Sequence, residues 1–256
     1  MHPSFMKSKI FATLALLIMT VAFTFPMIAF HGTLNKIDEG KIDEISSFSK
    51  SVWNLYSQGR YKSDLISKEA YNDLDKMIEK SPGEIGASSM PIWAVSLIAP
   101  AYPEGIPVFF HFDGFSGDVS EMNKINHFVG MDPMWVGGHI EREIGIYALL
   151  ILSLFMIYFI AYNKKVLSYL MLLPISLPII FIMDYSYWLY WFGHNLHNWS
   201  AFKIKPFMPT VFGDGKIATF TTHSYPTIGF YLIIAISLLS LLAFFARQKA
   251  FNETNS

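Results

Sequence analysis

Four long apolar runs, separated by polar stretches, set the pattern of this chain. Ile10 to Phe30 is 21 residues without a charge, Ile144 to Tyr162 is 19, Val166 to Met183 is 18, and Thr227 to Ala246 is the fourth run. A helix rises about 1.5 Å per residue, so each run is long enough to cross a ~30 Å hydrocarbon core. The first run is too long for the apolar part of a signal peptide and ends in Ala-Phe-His-Gly, so it reads as an uncleaved anchor, with Pro26 near its far end. Asn163-Lys164-Lys165 joins the second and third runs directly, which predicts a helical hairpin.

The polar stretch between the first two runs has patterns of its own. Ile45, Phe48, Val52, Leu55 and Tyr56 recur at spacings of three and four, as do Ala70, Leu74 and Met77. Two amphipathic helices are expected in Asn35 to Lys80, broken near Gln58-Gly59 and ended by Ser81-Pro82-Gly83, with Phe48, Val52 and Tyr56 on one packed stripe. Met90 to Phe112 is apolar but carries Pro91, Pro100, Pro103 and Pro107. Four prolines argue against a straight span, and a re-entrant or interface-lying segment is expected there. A glycine-rich loop section follows, up to Gly138. Beyond the third run, Phe212-Gly213-Asp214-Gly215-Lys216 reads as the turn of a hairpin.

The fold class expected is therefore mainly α: a polytopic membrane protein with four transmembrane helices and an outward-facing helical and loop domain. Its parts would be an anchor (1–30), an extracytoplasmic domain (31–143), a transmembrane hairpin with an aromatic and histidine-bearing outer end (144–199), an extracytoplasmic hairpin (200–226), and a last transmembrane helix with its tail (227–256).

Charge fixes the orientation. Lys7 and Lys9, Lys164 and Lys165, and Arg247 and Lys249 fall on one side if there are four spans, the cytoplasmic side by the positive-inside rule. His31 to Glu143 carries 17 Asp plus Glu against 10 Lys plus Arg, and lies outside. Both termini are then cytoplasmic, and a bacterial inner membrane is the expected location. The formal charge of -1 on 256 residues gives no field for nucleic acid. Zero cysteines exclude disulfides, thiolate metal sites and covalent c-type haem attachment. No nucleophile elbow, phosphate-cradling glycine loop or paired-histidine zinc motif is present.

The candidate chemistry sits at the outer end of the third run. Tyr185, Tyr187, Trp188, Tyr190, Trp191 and Phe192 form an aromatic belt, followed by His194 and His197. These two histidines, with His139 from the start of the second span, would form a copper or haem site, and Asp184 would orient one imidazole. The rival reading leaves the histidines as ordinary interfacial residues. Asp184 itself, ionisable near bilayer depth, marks a candidate functional position. Glu141 and Glu143 suit a helix N-terminus. Met122, Met131, Met134 and Met208 lie in outer loops, where thioethers suit Cu(I).

The stretch Pro206 to Phe220 fits P-F-x-P-T-x-F-G-x-G-K-x-A-x-F. With the four-span layout, it resembles the NosB-type integral membrane proteins encoded beside clade II nitrous-oxide reductases. The resemblance implies a role in respiratory nitrous-oxide reduction, whose enzyme is a periplasmic copper protein, and carries over no catalytic residue. The expected function is an inner-membrane accessory or scaffold protein for that copper enzyme, supporting metal loading or electron delivery. A periplasmic copper reductase or c-type cytochromes would be its partners, with the lipid bilayer around it. The alternatives are a membrane oxidoreductase with its own copper or haem site, and an anchor or interaction protein without chemistry.

Overall fold

In the computed structural model, residues 3–34, 87–99, 102–198, 200, 204–217 and 220–255 are described. The amphipathic stripe of Phe48, Val52 and Tyr56 and the two helices expected in Asn35 to Lys80 lie outside those residues. The protein is mainly helical, and four helices are long and apolar enough to cross a membrane: Pro3–Ala29, His139–Ala161, Val166–His194 and Ile228–Thr254. The first consists of α1 (Pro3–Met19), a π-turn (Thr20–Thr24) and α2 (Phe25–Leu34). After α3 (Val119–Val129) come α4 (His139–Ala161), α5 (Leu172–His194), entered through a 3₁₀ turn at Val166–Met171, and α6 (Ile228–Asn255).

The helices are amphipathic to one another rather than to water. Ala12, Ala15, Met19, Met156, Phe159, Ile233, Ile236 and Ala243 are buried between them, whereas Leu17, Val21, Leu154 and Phe245 face outward. Small residues on α1 and α6 let those two helices pack along their length, as is usual where lipid is as apolar as the side chains. α4 packs along α1, and α5 along α6. Ser237 Oγ donates to the Ile175 carbonyl at 2.7 Å, beside Pro178, where α5 loses a backbone donor. The α4–α5 hairpin does not close. Its helices spread apart from the Lys164-Lys165 turn and scarcely touch along their length.

All six basic markers gather at one end of the bundle. There Phe5 meets Phe251, and Arg247 reaches the last carbonyls of α4. Arg247 is wholly buried: Nε donates to Ser8 Oγ at 3.0 Å, Nη1 to the Tyr162 carbonyl at 2.9 Å and Nη2 to the Phe159 carbonyl at 3.0 Å. Its guanidinium also lies 4.0 Å from the Phe159 ring centroid. A cation on the free carbonyls of a helix C-terminus complements the helix dipole, so one side chain ties α1, α4 and α6 together.

The other end also carries a β-sheet, which the expectation of a helical and loop domain does not include. Five strands lie in the order β3-β2-β1-β5-β4, all neighbours antiparallel: β1 (Trp93–Ala99), β2 (Tyr102–Phe110), β3 (Phe115–Gly117), β4 (Gly213–Ile217) and β5 (Phe220–Pro226). Met90 to Phe112 is thus mostly a β-hairpin and not a re-entrant segment. Its apolar residues alternate, so that Trp93, Val95 and Leu97 stand opposite Phe110, Val108 and Ile106 on one face. That face covers α3, whose Val119, Met122, Ile125 and Val129 pack against Leu97, Ile106, Val108 and Phe115. The second hairpin exists, with its turn displaced. Gly213 to Ile217 are strand, and Ile217 pairs with Phe220. Gly215 is required there because a Cβ would overlap Thr210.

A polar joint seats the sheet on the spans. Trp93 Nε1 donates to Ser224 Oγ at 2.8 Å, Ser224 Oγ donates to the Val211 carbonyl at 2.8 Å, and Tyr185 Oη of α5 lies 3.2 Å from the same hydroxyl. Around it Trp93 meets Phe181, Tyr185 and Phe230. Residues 88–90 pin the sheet to the first span: Met90 N–H donates to the Ala22 carbonyl at 3.0 Å, inside the π-turn.

Candidate functional site

Because α4 and α5 spread and the sheet lies across their ends, a cavity of about 450 Å³ is left between them. Its roof is Val95, Leu97, Val108 and Phe110, and its walls run down Ala148 and Leu152 of α4 and Leu177 and Phe181 of α5. Most of this lining is apolar. Ile144 and Ile180, also on its walls, are about half exposed at the bundle surface, 54% and 53%, which places a flank of the cavity toward lipid.

The polar groups cluster under the roof. Glu141, in the first turn of α4, accepts a hydrogen bond from Trp188 Nε1 at 3.2 Å through Oε1. Its Oε2 is buried and has no hydrogen-bond partner among the described residues. The Asp184 carboxyl of α5 is a close neighbour of Glu141 on the cavity lining. Arg142 lines the same cavity beside Glu141, with its donors spent on backbone: it donates to the carbonyls of Gly137 and, at 2.7 Å, Trp135, and lies 4.9 Å from the centroid of Phe115. Burying carboxyls beside apolar walls costs several kcal/mol when no partner compensates, which is why such groups mark function more often than stability.

The structure does not bring the three proposed metal ligands together. His139 is exposed at the start of α4. His194 stacks on Tyr190 at 3.8 Å, with its Nδ1 2.9 Å from the Tyr190 carbonyl of its own helix. His197 Nε2 lies 2.8 Å from Asp132 Oδ1. Among the described residues no group of three or more His, Asp or Glu could hold a metal ion. His139, His194 and His197 therefore do not form such a group. Met122 and Met134 are buried beneath the sheet, Met131 packs against them, and Met208 is exposed apart from these.

Two polar latches frame the cavity. His111, on its lining, sits 2.7 Å from the Ser89 carbonyl through Nδ1 and 2.8 Å from Ser116 Oγ through Nε2, and burial lowers its pKa below 6.5. Burial would raise the neighbouring Asp113, but hydrogen bonds from the hydroxyls and amides of Ser88 and Ser89 outweigh it and hold the carboxyl below its usual range. On the far side, Gly130 ends α3 with φ 93° and accepts the His197 amide at 2.8 Å; a Cβ there would press on Ser200 at 2.7 Å. The hydrogen bond that His197 donates to Asp132 raises the His197 pKa above 6.5.

The two latches respond to pH with opposite signs. The folded state holds His111 neutral, so its contribution is full above 6.5 and is lost as pH falls from there toward the lowered folded value. His197 contributes fully below 6.5, and that contribution is lost as pH rises through its raised folded value. Thermal unfolding followed against pH should show the gap between wild type and His111→Gln closing in acid. The gap to His197→Gln should close in base. Parallel curves for either pair would remove that histidine from the account.

No protein-family model, curated protein or solved structure matches this chain. The site therefore stands on its own residues. Sequence reasoning singled out Asp184 but not its neighbour Glu141, nor Trp188 and His111 as lining; the signal available was two acidic residues at the edges of adjacent apolar runs.

Proposed function

We propose that this protein is an inner-membrane accessory protein that holds a lipid-soluble molecule at the outer interface, on behalf of a partner on the sheet side. One observation carries the reading: the cavity between α4 and α5 is apolar along the spans, flanked by lipid-facing residues and polar only beneath the sheet. That gradient matches an amphiphile lying with its tail among the helices and its head at the interface. The Pro206 to Phe220 pattern supports respiratory nitrous-oxide reduction as the setting. Within that setting, delivery from a lipid-soluble electron carrier accords better with the cavity than metal loading through His139, His194 and His197. Phe207 and Pro209 of the same pattern line the cavity.

The test is direct. Protein purified in mild detergent should retain an extractable lipid-soluble compound, and Ala148→Phe, which fills the channel midway down α4, should lose most of it while the protein stays folded. A wild type that retains nothing, or a variant that retains as much as the wild type, would leave only the anchor or interaction reading.

Orientation is tested separately. A cysteine at exposed Lys216 in β4 should react with an impermeant thiol reagent from outside intact cells, and one at Asn163 should not. The reverse pattern would put the sheet in the cytoplasm and end the proposed partnership.

A further inference from the structure

The polar end of the cavity is specific enough to name a head group, and the step rests on the lipid-binding reading above. We infer that the occupant is an uncharged isoprenoid carrying a hydroxyl on an aromatic ring, a quinol, and that its hydroxyl donates to the Glu141 carboxylate.

Three features of the site select that chemistry. First, Glu141 Oε2 is a buried acceptor without a partner among the described residues, at the head of an otherwise apolar cavity. A buried acceptor left unpaired is unfavourable, so a ligand donor placed there is recognised strongly. Second, the acceptor stands beside a second carboxyl, Asp184, while the nearest cation, Arg142, is committed to the carbonyls of Gly137 and Trp135. Two carboxyls, beside a guanidinium whose donors are taken up by backbone carbonyls, disfavour the phosphate of a phospholipid head and suit a neutral donor. Third, the lining near Glu141 is aromatic. Phe115, Phe181, Tyr185, Trp188 and Phe192 line the cavity, offering edges and faces to a flat ring. Its volume, about 450 Å³, is in the range of small-molecule sites and holds a ring head with the first units of its tail.

A hydroxyl on an apolar body could also come from a polycyclic lipid alcohol, which shares the donor but not the flat ring. The experiment separates the two. Decylubiquinol is titrated into the full-length purified protein, with Trp188 close enough to report by fluorescence quenching. Its dimethyl ether, which has the same ring and tail but no donor, and a polycyclic triterpenoid alcohol serve as competitors. The expected result is saturable quenching by the quinol, with the ether weaker by about tenfold or more, as for one lost hydrogen bond to a charged group. Glu141→Leu should bring quinol affinity down to that of the ether, and should leave the ether's affinity unchanged. Equal affinity for quinol and ether, or an undiminished Glu141→Leu, would overturn the hydroxyl contact while leaving lipid binding intact. Displacement by the triterpenoid alcohol at concentrations below those of the quinol would overturn the ring assignment. If Glu141→Leu fails to fold, the comparison of quinol with ether on the wild type decides alone.

Discussion

Arg247→Ala should unfold at a temperature lower than the wild type by roughly 10 °C, the largest loss expected from any single change in the bundle. The side chain is wholly buried and gives three hydrogen bonds, to Ser8 Oγ and to the carbonyls of Tyr162 and Phe159. Alanine leaves those acceptors without donors in apolar surroundings and opens a void against the Phe159 ring. Charge-assisted hydrogen bonds count about 1.5–3 kcal/mol each, and breaking a buried charged cluster costs about 3–5 kcal/mol, which at about 2–4 °C per kcal/mol gives the stated shift. Arg247→Lys should fall between, because one ammonium cannot reach three acceptors spread over two helices. Loss of monodispersity on heating, followed by size-exclusion chromatography in detergent, measures this. A shift under about 2 °C for alanine would mean that the bundle does not depend on the clamp.

Gly193→Ala should release the segment that roofs the cavity beside the sheet. Gly193 accepts the Phe207 amide at 3.1 Å, and a Cβ at this position would overlap the Phe207 carbonyl and approach its carbon at 2.9 Å. Backbone cannot swing aside as a flexible side chain can, so the methyl costs about 1–3 kcal/mol of overpacking or expels the loop. Exchange of the Phe207 amide with solvent should speed up about tenfold or more, and quinol binding should weaken with it, because Phe207 and Pro209 line the cavity. Unchanged exchange at Phe207 would show that the loop is held by other contacts.

The spans were legible because 18 or more uncharged residues leave few alternatives, and the basic residues at one end of each run marked a common end of the bundle. The sheet was not legible for a physical reason. Trp93, Val95 and Leu97 do alternate with the smaller Ala94 and Ser96, but Pro107 and Phe109 between Ile106, Val108 and Phe110 are apolar too, so strand and interfacial segment read alike. What turns them into a sheet is the pairing of β1 with β5, from the far end of the chain, and no local pattern announces that. Gly213 and Gly215 read as a turn in the sequence, yet their lack of a side chain serves a positive φ and a close approach to Thr210 within a strand. At the site, Asp184 was visible as an ionisable residue at the edge of a span. Glu141 was assigned to the helix dipole because its sequence position suits that role, and only the fold shows it facing Asp184 and Trp188. The convergence of His139, His194 and His197 was drawn from the idea that hairpin helices lie side by side. The helices instead diverge, and the space between them is the cavity.

The order of the strands also has a consequence in time. β1 and β2 are made before the second span, but the partner that completes their hydrogen bonding arrives with Ser224, 131 residues after Trp93. At about 5–20 residues per second of synthesis, the β1 edge waits on the order of 10 s, on the sheet side of the membrane, as an unpaired template. During that interval it is Trp93 and its neighbours, not the finished site, that are open to mispairing with another chain. Expression at reduced synthesis rate lengthens this window, so the yield of folded protein depends on how fast the last span follows the first.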